Sequence, residues 1–167
     1  MKDLNLGMFK LYDIRTKMDK LTPELLERLS LSVALYYRNT LSAPSVVIGR
    51  DARLNAPSVA DSLVKAFRSV GVDVLLNPLP ISTCQFYYTC MQHRESGGIM
   101  VTASHNPGCY IGLKLMAQDV FPLAYGCGKE GGIEKIKEIY LSEPSFSSSE
   151  RKGKLHIINY LDDYISY

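Results

Sequence analysis

Serine, histidine and asparagine stand together in the run Thr102-Ala103-Ser104-His105-Asn106-Pro107. The run follows Gly97-Gly98-Ile99-Met100-Val101, which predicts a buried strand ending in a polar turn. Strand ends in α/β folds are where binding and catalytic groups gather. A serine hydroxyl there has three readings: a nucleophile, a phosphate carrier, or a turn residue bonded to its own backbone. A hydrolase triad is disfavoured. In an extended segment successive side chains point to opposite faces, so His105 is expected to point away from Ser104. The G-x-S-x-G elbow is also absent. Local chemistry alone favours the turn reading.

Two other segments concentrate polar chemistry ahead of it. Phe9-Lys10-Leu11-Tyr12-Asp13-Ile14-Arg15 carries a tyrosine, a carboxylate and an arginine, and Ile48-Gly49-Arg50-Asp51-Ala52-Arg53 is a charged turn after an apolar run. Tyr110, Gly112 and Lys114 follow the serine run. In this order the three segments resemble motifs of the α-D-phosphohexomutases, the family of the phosphomannomutases and phosphoglucomutases. The first is similar to F-R-x-Y-D-I-R-G, the second to G-R-D-x-R and the third to the phosphoserine loop. The resemblance covers about residues 4–142, all within the family's first domain.

The resemblance implies an enzyme that interconverts hexose 1-phosphates and 6-phosphates, of mannose or glucose, through a bisphosphate intermediate. Ser104 is then the phosphoserine. Arg15 and Lys114 lie beside the transferred phosphoryl group, with His105 as a hydrogen-bonding neighbour. Arginine gives up a proton with great difficulty, whereas lysine is tuned by its surroundings, so Lys114 is the better acid/base candidate. Tyr12, Asn106, Arg50 and Asp51 are expected to support the substrate or the loop; a structural salt bridge explains the charged turn, Arg53 included, equally well. Mg²⁺ is the implied metal and hexose 1,6-bisphosphate the implied activator. Ser104 would reach Mg²⁺ only through its phosphoryl oxygen, with the other ligands in a second domain, because Mg²⁺ demands octahedral oxygen ligation.

Three departures mark a divergent branch. Thr16 replaces the glycine after Arg15, Ile111 replaces the usual asparagine before Gly112, and Leu54-Asn55-Ala56-Pro57 replaces the common serines. Thr16 is expected to remove backbone freedom beside Arg15, and Ile111 to remove a polar group from the loop. A phosphoglucosamine mutase domain is the nearest rival. A non-catalytic module binding a phosphosugar or a protein is the alternative of another class.

The elements that must position these residues alternate between helical and strand patterns. Thr22 with Pro23 starts a helix carrying Leu25, Leu29, Val33 and Tyr36 on one face. Residues 45–48, 72–76, 99–101 and 113–116 read as strands, and residues 77–80 as a loop. Residues 56–70 read as a helix stopped by Gly71, residues 82–91 as a short helix, and Ile133, Ile136 and Ile139 as one face of a last helix. The expected fold is α/β: a layered sandwich with a mixed, mostly parallel four-stranded sheet between helices. Residues 1–142 form domain I, 143–153 a polar linker, and 154–167 the start of domain II. That last stretch is too apolar for a solvated linker and too short for its own core, so it must fray, dock on the first domain or pair with another copy.

The chain has 167 residues, of which 46% are hydrophobic and 22% charged, enough for one globular core. The metal, sugar and distal phosphate loops of the family's later domains are absent, so domains II–IV are expected partners and the 167 residues alone are expected to be inactive. A net charge of +2 with scattered basic residues argues against nucleic acid. No apolar run suits a bilayer and no signal-peptide pattern opens the chain, so a cytoplasmic protein with no membrane partner is expected. Cys84, Cys90, Cys109 and Cys127 form no C-x-x-C pair and read as free thiols. The face a second domain would cover is a possible dimer contact.

Overall fold

A computed structural model describes residues 3–147, 149 and 151–167. In chain order the strands and α-helices are β1 (Ile14–Lys17), α1 (Pro23–Leu35), β2 (Ser45–Arg50), α2 (Ala56–Ser69), β3 (Asp73–Pro80), α3 (Thr83–Gln92), β4 (Gly97–Val101), β5 (Tyr110–Met116), α4 (Ile133–Leu141), β6 (Leu155–Ile157) and α5 (Leu161–Ser166). They build a mixed α/β sandwich around one sheet of order β1-β5-β4-β2-β3-β6. Strands β4, β2, β3 and β6 run parallel, and β5 is antiparallel to both β4 and β1.

Local chemistry sets the helix ends. The Thr22 hydroxyl accepts from the Leu25 N–H and Pro23 occupies the first turn of α1. Ser82 caps α3 in the same way through Gln85. Gly71, at φ 84, turns the chain out of α2 in a conformation glycine adopts without a Cβ penalty.

Period-two alternation sorts the strand residues between two cores. Val46, Ile48, Ile99, Val101, Leu113 and Leu115 pack against α1, α2 and α4. Val47, Met100 and Met116 pack on the opposite face against Phe86 and Cys90 of α3. Helices therefore cover both faces, and β4 is buried along its whole length.

The sheet has six strands where the sequence predicts four. The extra strands, β1 and β6, are the two edges and span four and three residues. Edge segments this short hold too few residues to display a period. Strand β3 also runs through Pro80 rather than stopping at Leu76. Its neighbour β6 ends opposite Leu76, so Pro78 and Pro80 lie on an open edge where a missing N–H costs nothing.

The apolar tail docks. Strand β6 extends the sheet beside β3, and α5 rests on α3 through Tyr164 and Tyr167 against Tyr88. The Tyr160 hydroxyl lies 2.9 Å from His93 Nε2. The stretch 143–153 has neither helix nor strand among its described residues; Met1, Lys2, Ser148 and Glu150 lie outside them. Among the described residues no helix is long and apolar enough to cross a membrane.

Candidate functional site

Strand β4 delivers Thr102 to the end of the sheet, where its N–H donates to the Gly112 carbonyl. The chain then turns sharply: the Asn106 N–H returns to the Ala103 carbonyl and the Tyr110 N–H to the Pro107 carbonyl. Ser104 sits at the tip with φ 54, a left-handed conformation that costs energy for a residue bearing a Cβ. Neighbouring groups hold it there. Its N–H donates to Thr102 Oγ1 at 3.0 Å, and Thr102 Oγ1 donates to Asp51 Oδ2 at 2.7 Å. The Ser104 side chain is exposed.

Because Ser104 is left-handed rather than extended, His105 does not point away from it. Ser104 Oγ lies 3.1 Å from His105 Nδ1, within direct proton-exchange reach. The expectation of opposite faces fails because it assumed an extended backbone.

Arg53 holds the loop from the β2 side. Its Nε donates to Asp51 Oδ2 at 3.0 Å. One terminal nitrogen donates to the carbonyls of Pro107 (2.8 Å) and Tyr110 (3.1 Å), the other to those of Ser104 and Asn106 (both 2.8 Å). One planar guanidinium thus collects four loop carbonyls and a carboxylate. Asp51 completes the bracket, accepting from the Arg53 N–H and from Thr102. The charged turn is therefore a salt bridge and a loop clamp together. Arg50 does not share in it; its guanidinium turns to the Pro78 and Asp51 carbonyls.

Arg15 and Lys114 enter from strands β1 and β5. Arg15 pairs with Gly112, two residues from Lys114 on the same strand, so both side chains leave the same sheet face as diagonal neighbours. Gly112 between them has a steric reason to be glycine: a Cβ there would stand 2.6 Å from the Ile14 carbonyl oxygen and 2.9 Å from that of Thr102. Arg15 forms an ion pair with Asp13, and its buried Nε has no hydrogen-bond partner among the described residues. Lys114 is half-buried and makes no ion pair among them.

The departures from the family pattern are structurally quiet. Thr16 has ordinary strand geometry, outside the positive-φ set, so the expected loss of backbone freedom has no effect there. Its hydroxyl accepts from Asn5 Nδ2 at 3.0 Å. Ile111 is 2% exposed and joins the core under α1 and α2.

Beside the serine loop lies an open cleft of about 660 Å³. Tyr12, Asp13, Arg15, Asn106 and Tyr110 line it, with Lys10, Lys17 and Lys20. Tyr12 is 73% exposed over this cleft. Ser104, His105 and Lys114 are outside its lining, and Asn106 forms the border between cleft and loop. The residues of most structural weight that the sequence underrates are Arg53 and Thr102. The G-R-D-x-R spacing contained the first; nothing marked the second as more than a strand-end threonine.

Among the described residues no group of three or more His, Cys, Asp or Glu side chains is placed to hold a metal ion. Asp51, bonded to Thr102, and Asp13, in the cleft lining, are engaged by Arg53 and Arg15. The described residues therefore do not make a Mg²⁺ site by themselves.

Comparison with known proteins agrees with this geometry. The family described as phosphoglucomutase/phosphomannomutase, alpha/beta/alpha domain I, matches residues 7–141. A phosphomannomutase of Klebsiella pneumoniae is 32% identical over 160 residues, covering 96% of this chain and 98% of that protein. A phosphoglucosamine mutase of Verminephrobacter eiseniae is 36% identical over 141 residues, covering 83% of this chain and 29% of that protein. A crystal structure of a phosphoglucomutase/phosphomannomutase family protein from Burkholderia thailandensis superposes with a TM-score of 0.76 at 22% identity, over 97% of this chain and 35% of that one. The chain spans about a third of the length of the first curated relatives it matches. With its sheet order, its clamped serine loop and the family match over residues 7–141, this chain belongs to the phosphoglucomutase/phosphomannomutase family and carries that family's α/β/α domain I.

Proposed function

We propose that Ser104 is the phosphoryl carrier of a phosphohexomutase, an isomerase acting by intramolecular phosphoryl transfer on mannose or glucose phosphates in the cytoplasm. The observation that carries this reading is the exposed Ser104 hydroxyl at a left-handed turn tip, fixed from below by Thr102 and from the side by Arg53. Phosphoryl transfer depends mainly on positioning and charge stabilisation, and such a clamp supplies the first. In the proposed step the phosphoserine P–Oγ bond breaks as a sugar hydroxyl oxygen bonds to phosphorus. Lys114 takes the hydroxyl proton, His105 gives a proton to the leaving Oγ, and Arg15 donates hydrogen bonds to the transferred oxygens. Tyr12 and Asn106 line the approach. Mg²⁺, held by one phosphoryl oxygen of Ser104 and by ligands from the family's further domains, would supply charge neutralisation.

The test is to incubate the chain with glucose 1,6-bisphosphate and Mg²⁺ and map the modification by peptide mass spectrometry. Phosphate on Ser104 is expected. Phosphate on Ser82 or Ser96 with none on Ser104 overturns the reading. Turnover of glucose 1-phosphate or mannose 1-phosphate by these residues alone is expected to be negligible, because positioning by the remaining domains is worth on the order of 7–11 kcal/mol of barrier. The likeness to a phosphoglucosamine mutase sustains glucosamine phosphate as a second substrate reading. A sugar-phosphate panel on the chain joined to domains II–IV decides between them.

A further inference from the structure

Two hydrogen bonds in series run beneath the serine turn. Thr102 Oγ1 donates to Asp51 Oδ2 at 2.7 Å and accepts from the Ser104 N–H at 3.0 Å. Their direction is fixed. Asp51 Oδ2 also accepts from Arg53 Nε, and Oδ1 accepts from the Arg53 N–H, so the carboxylate is an acceptor throughout. The Thr102 hydroxyl therefore gives its one proton to Asp51 and turns a lone pair to Ser104. A carboxylate partner strengthens the first bond and polarises the second. Thr102 is 5% exposed, so water competes little for either contact.

This chain of bonds decides between two backbone states of Ser104. In an extended state His105 leaves the opposite face. In the observed state, at φ 54, Ser104 Oγ and His105 Nδ1 are 3.1 Å apart. The left-handed state is disfavoured for a residue with a Cβ. Ser104 and His105 are both exposed, so burial of their side chains does not offset that cost. The Arg53 contacts fall on carbonyls, that of Ser104 among them. The torsion φ turns about the N–Cα bond, and its N–H end is anchored by Thr102.

We propose that Thr102 is a positioning residue for phosphoryl transfer: its hydroxyl, polarised by Asp51, holds Ser104 left-handed and so brings His105 Nδ1 to the serine oxygen. The proposal rests on Ser104 being the phosphoryl carrier and adds the side chain that aligns proton exchange at its oxygen. When Ser104 accepts phosphate from a sugar bisphosphate, Oγ bonds to phosphorus and the donor's P–O bond breaks. The serine proton passes to His105 Nδ1, and Lys114 returns a proton to the departing sugar oxygen. With Ser104 extended, His105 no longer faces the serine proton.

The experiment compares T102V, T102S, H105A and T102V/H105A with the wild-type 167-residue chain. Valine keeps the shape of threonine without its hydroxyl, and serine keeps the hydroxyl. With no phosphate donor present, NMR couplings report φ of Ser104 and ring ¹⁵N shifts report a bond at His105 Nδ1. T102V is expected to lose both signatures and T102S to keep them. With glucose 1,6-bisphosphate and Mg²⁺, timed peptide mass spectrometry gives the rate of Ser104 phosphorylation. T102V is expected to slow it by roughly tenfold or more, and T102S by no more than about threefold. T102V/H105A is expected to match H105A within about twofold, because one substitution removes the group that the other misaligns. T102A repeats the test should T102V prove unstable. Unchanged signatures or an unchanged rate in T102V, equal slowing by T102S, or slowing that multiplies in the double variant each overturn the proposal. No phosphate on Ser104 of the wild-type chain overturns the carrier reading and the role in transfer with it, and the donor-free signatures still decide whether Thr102 sets the turn.

Discussion

The Arg53 guanidinium donates to the Ser104 carbonyl at 2.8 Å, so the turn after β2 fixes the backbone of the residue that presents the loop's hydroxyl. The geometry is a fork that lysine does not reproduce. R53K is expected to keep the charge and lose most of the carbonyl contacts, lowering stability by about 1–3 kcal/mol. Phosphorylation of Ser104 by glucose 1,6-bisphosphate should slow by at least roughly tenfold, because the tip is no longer held. Thermal denaturation and timed peptide mass spectrometry measure the two effects. Wild-type behaviour in both would show that the clamp is dispensable.

Gly112 is expected to tolerate no side chain. A Cβ there meets the backbone carbonyl oxygens of Ile14 and Thr102, neither of which is the end of a flexible group. G112A should cost roughly 1–3 kcal/mol by forcing β1 away from β5. Gly108 is the control, since a Cβ there meets nothing within 4 Å and its φ is not positive. G108A should leave the melting temperature nearly unchanged, and equal effects of the two substitutions would contradict the steric argument.

The docked tail should be measurable at single amides. The Val74 N–H donates to the Lys154 carbonyl and the Ile158 N–H to the Leu76 carbonyl. Both are expected to exchange slowly in the full chain. Deleting residues 154–167 should expose Val74 to exchange and lower the melting temperature. Fast exchange at both amides in the full chain would mean that the tail is frayed in solution.

Stability is expected to fall in alkaline solution from about pH 9 upward. Burial pushes the Cys90 thiol up to about 12, from an ordinary value of 9.0. Burial, with a smaller effect from Glu130, pushes the Tyr36 phenol up to about 12, and burial raises Tyr37 well above its ordinary 10.0. Between the unfolded and folded values the unfolded chain has lost protons that the folded chain retains, so stability decreases as pH rises. Well below pH 9 these three groups contribute no pH dependence. Urea denaturation between pH 8 and pH 12 should show a flat region and then a decline. Tyr37 donates to the carbonyls of Gly98 and Met116. Y37F should therefore be less stable at pH 7 yet decline less steeply above pH 10. A wild-type curve that stays flat to pH 12 would contradict this.

The order and identity of the main elements were legible in the sequence. Thr22-Pro23, Gly71 and Ser82 mark helix boundaries through capping and backbone freedom alone, and the apolar runs of β2, β4 and β5 are long enough to betray burial. The family motifs singled out Ser104, Arg15 and Lys114 as candidates because each lies in a continuous run. Tertiary structure decided the rest. Edge strands β1 and β6 exist only through a partner's hydrogen bonds, which no short stretch of sequence encodes. The 3.1 Å approach of His105 to Ser104 depends on one left-handed residue, stabilised by Thr102 and by Arg53 some fifty positions earlier in the chain. Arg53 rather than Arg50 holds the loop because the strand register aims one guanidinium at the β4–β5 turn and the other at β3.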